Sequence, residues 1–463
     1  MSHMTPHKTW ALLAGPIAAG AAAGGLAVAG FPSAACGCAA VTVLCGVWWI
    51  LEPIAIPATS LVPFATFPLL GVLDDQEVAA CYGHPVILLV IGGLLLSSAM
   101  EKSGAHRRVA LGVVGAFGGG GERGVVLGFL LASSMISMWM SNTATTLILL
   151  PVAVAVLEQS EDGTRLTAPL LLSVAYGASI GGIGTPVGSA TNLMFMAAYR
   201  EATGIEIGFL GWMKLGVPVV ILLVPAAGHC LTRGLDRKAR FHLPHLGAWQ
   251  PPERRVLIVF ALTALAWTTR TDPWGGWSRL LDTPGVGDGT VALLAATAMF
   301  VLPDGHGGRL LDWGAAAKIP WGILLLLGGG IAIARGFASS GLSETLAGLL
   351  THLGGLPVLP MIALTCLIVT MLTEVTSNTA TTALLMPILA ATGTAAGIDP
   401  ALLMAPAVIS ASCAFMLPVA TSPNAIVFSA GSFSVGRMAT EGFMIKLIGI
   451  PVVTAVCYLF LSH

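Results

Sequence analysis

Residues 141–151 read SNTATTLILLP, and residues 377–387 read SNTATTALLMP: eight of the eleven positions are identical at an offset of 236. A second marker follows each copy, GGIGTPVGSATN at 181–192 and LPVATSPN at 417–424. The spacing from Asn142 to Asn192 is 50 residues, and from Asn378 to Asn424 it is 46. A weaker echo pairs Gly92-Gly93…Ser103-Gly104 with Gly329-Gly330…Ser340-Gly341 at an offset of 237. One matching tetrapeptide is unremarkable in an Ala- and Leu-rich chain. Three markers in one order at nearly one offset indicate two related halves.

Composition sets the solvent in which those halves fold. Of 463 residues, 56% are hydrophobic and 9% charged, against roughly 25% charged in soluble domains. Mean hydropathy is +0.88. Such a chain lacks the polar surface to stay in water, and belongs in a bilayer. The net charge of -1 gives no basic balance for nucleic acid. Cys36, Cys38, Cys45, Cys81, Cys230, Cys366, Cys413 and Cys457 mostly lie in apolar runs without zinc-like spacing, which predicts inert buried thiols.

Apolar runs of crossing length are expected near 10–31, 34–51, 54–72, 84–100, 209–231, 256–269, 289–303, 319–337 and 443–461. Four other stretches are too long for one straight crossing, or contain breakers. The segments 125–157 and 357–391 predict hairpins with a Ser-Asn-Thr tip; 168–199 and 399–430 predict broken helices. Irregular backbone at membrane depth is tolerated only against protein or a water-filled cavity, so function is sought there. The expected fold is an all-α polytopic membrane protein of about 11 transmembrane helices plus two re-entrant helical hairpins. Residues 1–231 form a first repeat, 232–255 a basic linker and 256–463 a second repeat. The linker carries Arg233, Arg237, Lys238, Arg240, Arg254 and Arg255, which predicts a cytoplasmic loop and a cytoplasmic amino terminus. Lys8, Lys102, Arg107, Arg108, Arg437 and Lys446 fall on the same side by alternate counting. An odd number of spans between the two tips inverts one half relative to the other, the architecture of many secondary transporters.

The motifs themselves suggest the cargo. Each Ser-Asn-Thr offers an amide and two hydroxyls, beside the free N–H groups and partial positive charge of a helix start. Two facing tips of this kind suit two anionic groups, and free carbonyls at the incoming helix ends suit a hard cation such as Na⁺. A dicarboxylate with cations beside it meets both requirements. Gly181, Gly182, Gly184 and Gly188 with Pro186 predict an unwound break, as do Thr421, Pro423 and Asn424 in the second copy. The bland alternative is that small residues only let helices pack closely; the paired, ordered motifs favour a site. Glu374, three residues before Ser377, has either a structural role in positioning the hairpin or a proton or cation role. Arg335 either partners a carboxylate or snorkels to the interface. His84, His229 and His352 stand singly and are expected to be structural.

At these residues the chain resembles the divalent anion:sodium symporters, the Na⁺-coupled di- and tricarboxylate transporters, over nearly its whole length. The resemblance implies a homodimer, with a scaffold domain and a transport domain that moves like an elevator. It implies that Ser141, Asn142, Thr143, Ser377, Asn378 and Thr379 hold substrate carboxylates, with Ser189 and Thr421 nearby. It implies one sodium site at Ser137, Ser141, Asn142 and Gly188, and another at Thr373, Thr376, Asn378 and Ala420. Family members commonly carry Pro-Pro before the Asn of each second marker, whereas this chain has Ala190-Thr191 and Ser422-Pro423.

The expected function is Na⁺-coupled symport of a C4-dicarboxylate (succinate, malate or fumarate) across a bacterial-type inner membrane. The alternative on the same fold is a sodium-independent exchanger, or a carrier of another divalent anion such as sulfate or citrate. A membrane enzyme would need H-E-x-x-H or paired intramembrane Asp, and the sequence contains neither. Without a P-loop, ATP does not drive transport in this chain.

Overall fold

The computed structural model describes residues 6–117, 121–159, 163–236, 247–271, 275–343, 357–431 and 433–462. The described residues are helical, with one isolated bridge, Pro303 to Arg309, and no strand. Six helices among them are long and apolar enough to cross a membrane: Trp10–Val28, Ser33–Leu51, Asp75–Ser103, Phe209–Leu231, Gly322–Ser339 and Val435–Leu461. Their outer faces are apolar; Leu13, Ile17, Ile221 and Leu447 are each more than half exposed, as a bilayer in place of water requires. The run 54–72 departs from expectation. It forms two short helices, Ile56–Thr59 and Val62–Thr66, because Pro57 and Pro63 each start a new helix rather than continuing one. An unexpected helix, Ala105–Phe117, precedes the first hairpin.

Two helices flank each Ser-Asn-Thr: Gly121–Ser137 and Asn142–Leu157 the first, Val358–Leu372 and Asn378–Ala395 the second. Ser141 and Ser377 stand at the N-cap of the returning legs in extended conformation (ψ 144° and 130°). Each returning leg carries a proline at the equivalent position, Pro151 and Pro387. Both broken helices are also present. Gly163–Gly181 stops, a 3-10 turn covers Pro186–Gly188, and Ala190–Thr203 resumes. Ala401–Ala411 stops, a 3-10 turn covers Pro418–Ala420, and Ser422–Ala430 resumes.

These segments interlock. Helix Gly163–Gly181 packs against both legs of the first hairpin, and Ala401–Ala411 packs against both legs of the second. Gly181 permits the close approach: a methyl group there would lie 2.1 Å from the carbonyl oxygen of Ser134. The resumed segments cross over. Ser422–Ala430 packs on the first hairpin's leg Asn142–Leu157, while Ala190–Thr203 packs on the second hairpin's leg Asn378–Ala395. Each hairpin is therefore held by both broken helices.

Lys446 corrects the charge count made from sequence. It is 1% exposed and pairs with Glu374, so it is a core residue rather than a loop cation. Of the linker's basic residues, Arg237, Lys238 and Arg240 lie outside the described residues, as does His352. His84 is structural as expected: its Nδ1 accepts the N–H of Val86 at 3.2 Å and caps the helix Pro85–Ser103. Arg335 does lie beside a carboxylate, with Nε 3.7 Å from Glu201 Oε2.

Candidate substrate and cation sites

The first tip is organised around Asn142. Ser137 donates its hydroxyl proton to Asn142 Oδ1 at 2.7 Å, and Ser141 Oγ accepts the N–H of Ala144 at 3.2 Å. The first break leans on this tip. Thr185 donates its hydroxyl to the carbonyl of Met138, and its Oγ1 accepts the N–H of Gly188 at 3.2 Å. Asn192 Nδ2 donates to the carbonyls of Gly182 and Thr185, both at 2.8 Å, and Trp212 Nε1 donates to Ile183 O at 2.8 Å.

This geometry gathers oxygens. A methyl group on Gly188 would lie 2.7 Å from Gly182 O and 3.0 Å from the carbonyl oxygens of Ser137 and Met138. One on Gly182 would lie 2.6 Å from Asn142 Oδ1 and 3.1 Å from Gly188 O. Four carbonyls and a side-chain amide oxygen thus border a space that only glycine leaves open, a donor set suited to a small hard cation. Ser137, Asn142 and Gly188 come together as expected. Ser141 lines a cavity of about 60 Å³ beside them, with Gly188, Ser97, Trp139 and Ala190.

The second tip repeats the plan. Thr373 Oγ1 lies 2.6 Å from Asn378 Oδ1 and 2.8 Å from Ala411 O. In the second break, Asn424 Nδ2 donates to Ala414 O at 3.1 Å and to Leu417 O at 3.0 Å. Asn192 and Asn424 each reach the carbonyls ten and seven residues before them, so the local structure recurs along with the sequence. Thr373 and Asn378 are therefore brought together. Thr376 and Ala420 do not join them by hydrogen bonds among the described residues. Thr376 Oγ1 donates to Leu372 O at 2.8 Å and lies 2.7 Å from Thr381 Oγ1, while the N–H of Ala420 donates to Leu417 O at 3.2 Å.

The expected substrate residues are all half-buried. Asn142 and Thr143 open one returning helix. Ser377 Oγ lies 3.1 Å from Thr379 Oγ1 at the start of the other. Thr421 Oγ1 accepts the N–H of Asn424 at 3.2 Å, and Ser189 Oγ lies 2.8 Å from Thr191 Oγ1. The two tips make no hydrogen bond to each other among the described residues. They connect through the breaks, where Thr191 Oγ1 lies 3.2 Å from Ser412 Oγ.

Sequence reasoning singled out Thr191 as a departure from proline but missed its partner Ser412, because a single hydroxyl in an apolar run carries no signal until its neighbours are known. It also missed that Glu374 pairs with Lys446. The signal for that pair was present: one acid and one base, each alone in an apolar segment, are expected to find each other. No cluster of three or more His, Cys, Asp or Glu residues suited to a metal occurs among the described residues. All eight cysteines are free.

Known proteins resemble this chain throughout. A family model described as the sodium:sulfate symporter transmembrane region matches residues 8–462. The sodium-dependent dicarboxylate transporter SdcS of Staphylococcus saprophyticus is 38% identical over 445 residues, covering 90% of this chain and 85% of that protein. Its namesake from Staphylococcus aureus strain USA300 is 38% identical over 444 residues, covering 90% and 84%. Among solved structures, the Alcanivorax borkumensis YdaH transporter aligns with a TM-score of 0.60 at 15% identity, over 87% of each chain. Neisseria gonorrhoeae MtrF aligns at 0.56 and 13% identity, over 84% of this chain and 85% of the other. At those identities the structural likeness concerns the fold alone.

Proposed function

The chain belongs to the sodium:sulfate symporter family, the divalent anion:sodium symporters, and on that premise we propose that it couples Na⁺ entry to uptake of a C4-dicarboxylate such as succinate, malate or fumarate. The family and the relatives matched are transporters, not enzymes. The observation that carries the reading is the recurrence of one hydrogen-bonded unit, Ser137 with Asn142 and Thr373 with Asn378, each beside a break held by an asparagine.

The chemistry follows from the asparagine side chain. Asn142 Oδ1 borders the oxygen cradle, which leaves its amide N–H groups to turn toward an anion. A cation in the cradle fixes that orientation, and the same holds for Asn378 at the second tip. Ser141, Thr143, Ser377 and Thr379 add hydroxyls, and the helix starts add free N–H groups. Ser189 and Thr421 lie at the ends of the 3-10 turns to complete the site. No cationic side chain belongs to this set, so a dicarboxylate gains its counter-charge from Na⁺. That dependence is the coupling.

The interlocked hairpins and broken helices, 121–203 and 358–430, form the moving transport domain of an elevator. The other helices form the scaffold of a homodimer. The two halves are inverted-topology repeats in an inner membrane, with the amino terminus and the basic linker on the cytoplasmic side. The experiment is labelled succinate uptake into proteoliposomes, first with an inward Na⁺ gradient and then with K⁺ replacing Na⁺. Uptake with Na⁺ alone is expected. Equal uptake in K⁺, seen only in vesicles preloaded with dicarboxylate, overturns the symport reading in favour of exchange.

A further inference from the structure

The second break keeps its shape by different means from the first. In the first, the N–H groups of Gly182, Ile183 and Gly184 donate back along their own chain to Ala178, Ile180 and Gly181, at 2.9–3.1 Å. In the second, three consecutive N–H groups converge on one side chain. Phe415, Met416 and Leu417 all donate to the carboxylate of Glu374, at 2.9–3.1 Å. Consecutive main-chain donors that converge make a concave anion site. Here the anion comes from the tip of the second hairpin.

Glu374 is balanced in turn. It pairs with Lys446 from helix Val435–Leu461, whose ammonium also donates to Thr370 O at 2.7 Å. Glu374 is 5% exposed and Lys446 1%. Charges this deep persist only when paired and hydrogen-bonded; the two pair with each other, and both oxygens of the carboxylate are satisfied. Both carboxylate oxygens are committed: Oε1 to Phe415, Met416 and Lys446, Oε2 to Met416 and Leu417. A proton on Glu374 would displace one of these donors, which speaks against a proton-carrying role.

We propose that Glu374 is a positioning residue for the second cation site, with Lys446 as its fixed counter-charge. Drawing the N–H groups of residues 415–417 to one side leaves carbonyls of the same stretch to face elsewhere. Asn424 gathers those of Ala414 and Leu417, and Thr373 reaches the carbonyl of Ala411 while touching Asn378. In the first break, the N–H groups of residues 182–184 are met by their own backbone. The second depends on where the hairpin tip places one carboxylate, so a shift of that tip reshapes it. The inference rests on the cation-coupled reading above, and its test separates the two.

The full-length protein in proteoliposomes carries Glu374→Gln, Lys446→Met and the charge-balanced pair Glu374→Gln/Lys446→Met. Losing a residue that orients cation ligands costs about 10- to 100-fold in cation affinity. The half-saturating Na⁺ concentration is therefore expected to rise at least tenfold in Glu374→Gln and in the double variant, with maximal rate at saturating Na⁺ largely kept. A fold defect alone would lower the rate and leave that concentration in place. Cys413, buried in the same break, gives a second readout in detergent. Its alkylation is expected to be slow in the wild type and slowed further by Na⁺, and to be fast and Na⁺-insensitive in the double variant. Unchanged Na⁺ dependence in both Glu374 variants, or unchanged Cys413 alkylation in the double variant, overturns the proposal. A wild type that transports without Na⁺ overturns the symport reading instead, and accelerated Cys413 alkylation would still support Glu374 as the group that shapes the break.

Discussion

Thr191 Oγ1 lies 3.2 Å from Ser412 Oγ, and the two residues belong to different interrupted helices. Thr191 also touches Ser189 at 2.8 Å. Ser412 follows Ala411, whose carbonyl is reached by Thr373, and Thr373 touches Asn378. A short run of hydroxyls thus links the turn beside the first cradle to the second tip. The contact exists because residue 191, second in its helix, carries a hydroxyl.

Two substitutions separate the hydroxyl from the backbone. Thr191→Val removes the bridge and keeps the shape. Thr191→Pro sits at the second position of helix Ala190–Thr203, where proline needs no N–H partner. Both are expected to fold. A buried hydroxyl bond contributes about 1 kcal/mol, so each should raise the half-saturating succinate concentration roughly fivefold in uptake assays. Wild-type kinetics in both variants would mean that the bridge plays no part in transport.

Asn142→Ala and Asn378→Ala each remove an amide that serves two ligands. The partner hydroxyl, Ser137 or Thr373, then loses its acceptor at the tip. Hydrogen bonds to charged groups contribute about 1.5–3 kcal/mol, so losing both roles should reduce transport at least 100-fold. Size-exclusion profiles should stay those of the folded wild type. Near-normal uptake by both variants would remove the Ser-Asn-Thr tips from the mechanism.

Gly188→Ala tests the cradle. The added methyl would fall 2.7–3.0 Å from three carbonyl oxygens, all of them main-chain and unable to swing away. It occupies the space assigned to the first cation. Na⁺-driven uptake should vanish, and thermal stabilisation by Na⁺ in detergent should shrink to the share contributed by the second site. A variant stabilised by Na⁺ as strongly as the wild type would place the cation elsewhere.

The helix starts at Ser141 and Ser377 and the breaks were legible because their markers are local. A proline or glycine run interrupts a helix wherever it stands, and SNTATT recurs nearly unchanged. Asn142, Asn378, Asn192 and Asn424 could be paired from sequence for the same reason. What escaped depends on contacts between distant segments. Lys446 looked like a loop cation because its partner, Glu374, lies 72 residues earlier, and only packing brings Val435–Leu461 beside the hairpin. Thr376 and Ala420 had a place in the expected second cation site by resemblance. In this chain Thr376 is bonded within its own hairpin, to Leu372 and Thr381.

Asn192 and Asn424 make matching bonds in unequal surroundings, and their substitution should show it. Asn192→Ala strands the carbonyls of Gly182 and Thr185 inside the protein. An unmet buried acceptor costs about 1–3 kcal/mol, so the loss should be roughly 2–4 kcal/mol. Asn424→Ala strands Ala414 and Leu417 in the same way. There, however, Glu374 still grips the N–H groups of Phe415, Met416 and Leu417. The second break should therefore hold its shape better, and Asn424→Ala should lower the unfolding temperature less than Asn192→Ala. The comparison is made by heating each variant in detergent and following the folded peak on size exclusion. If Asn424→Ala proves the more damaging, the carboxylate does not hold the second break, and the asparagine carries that stretch alone.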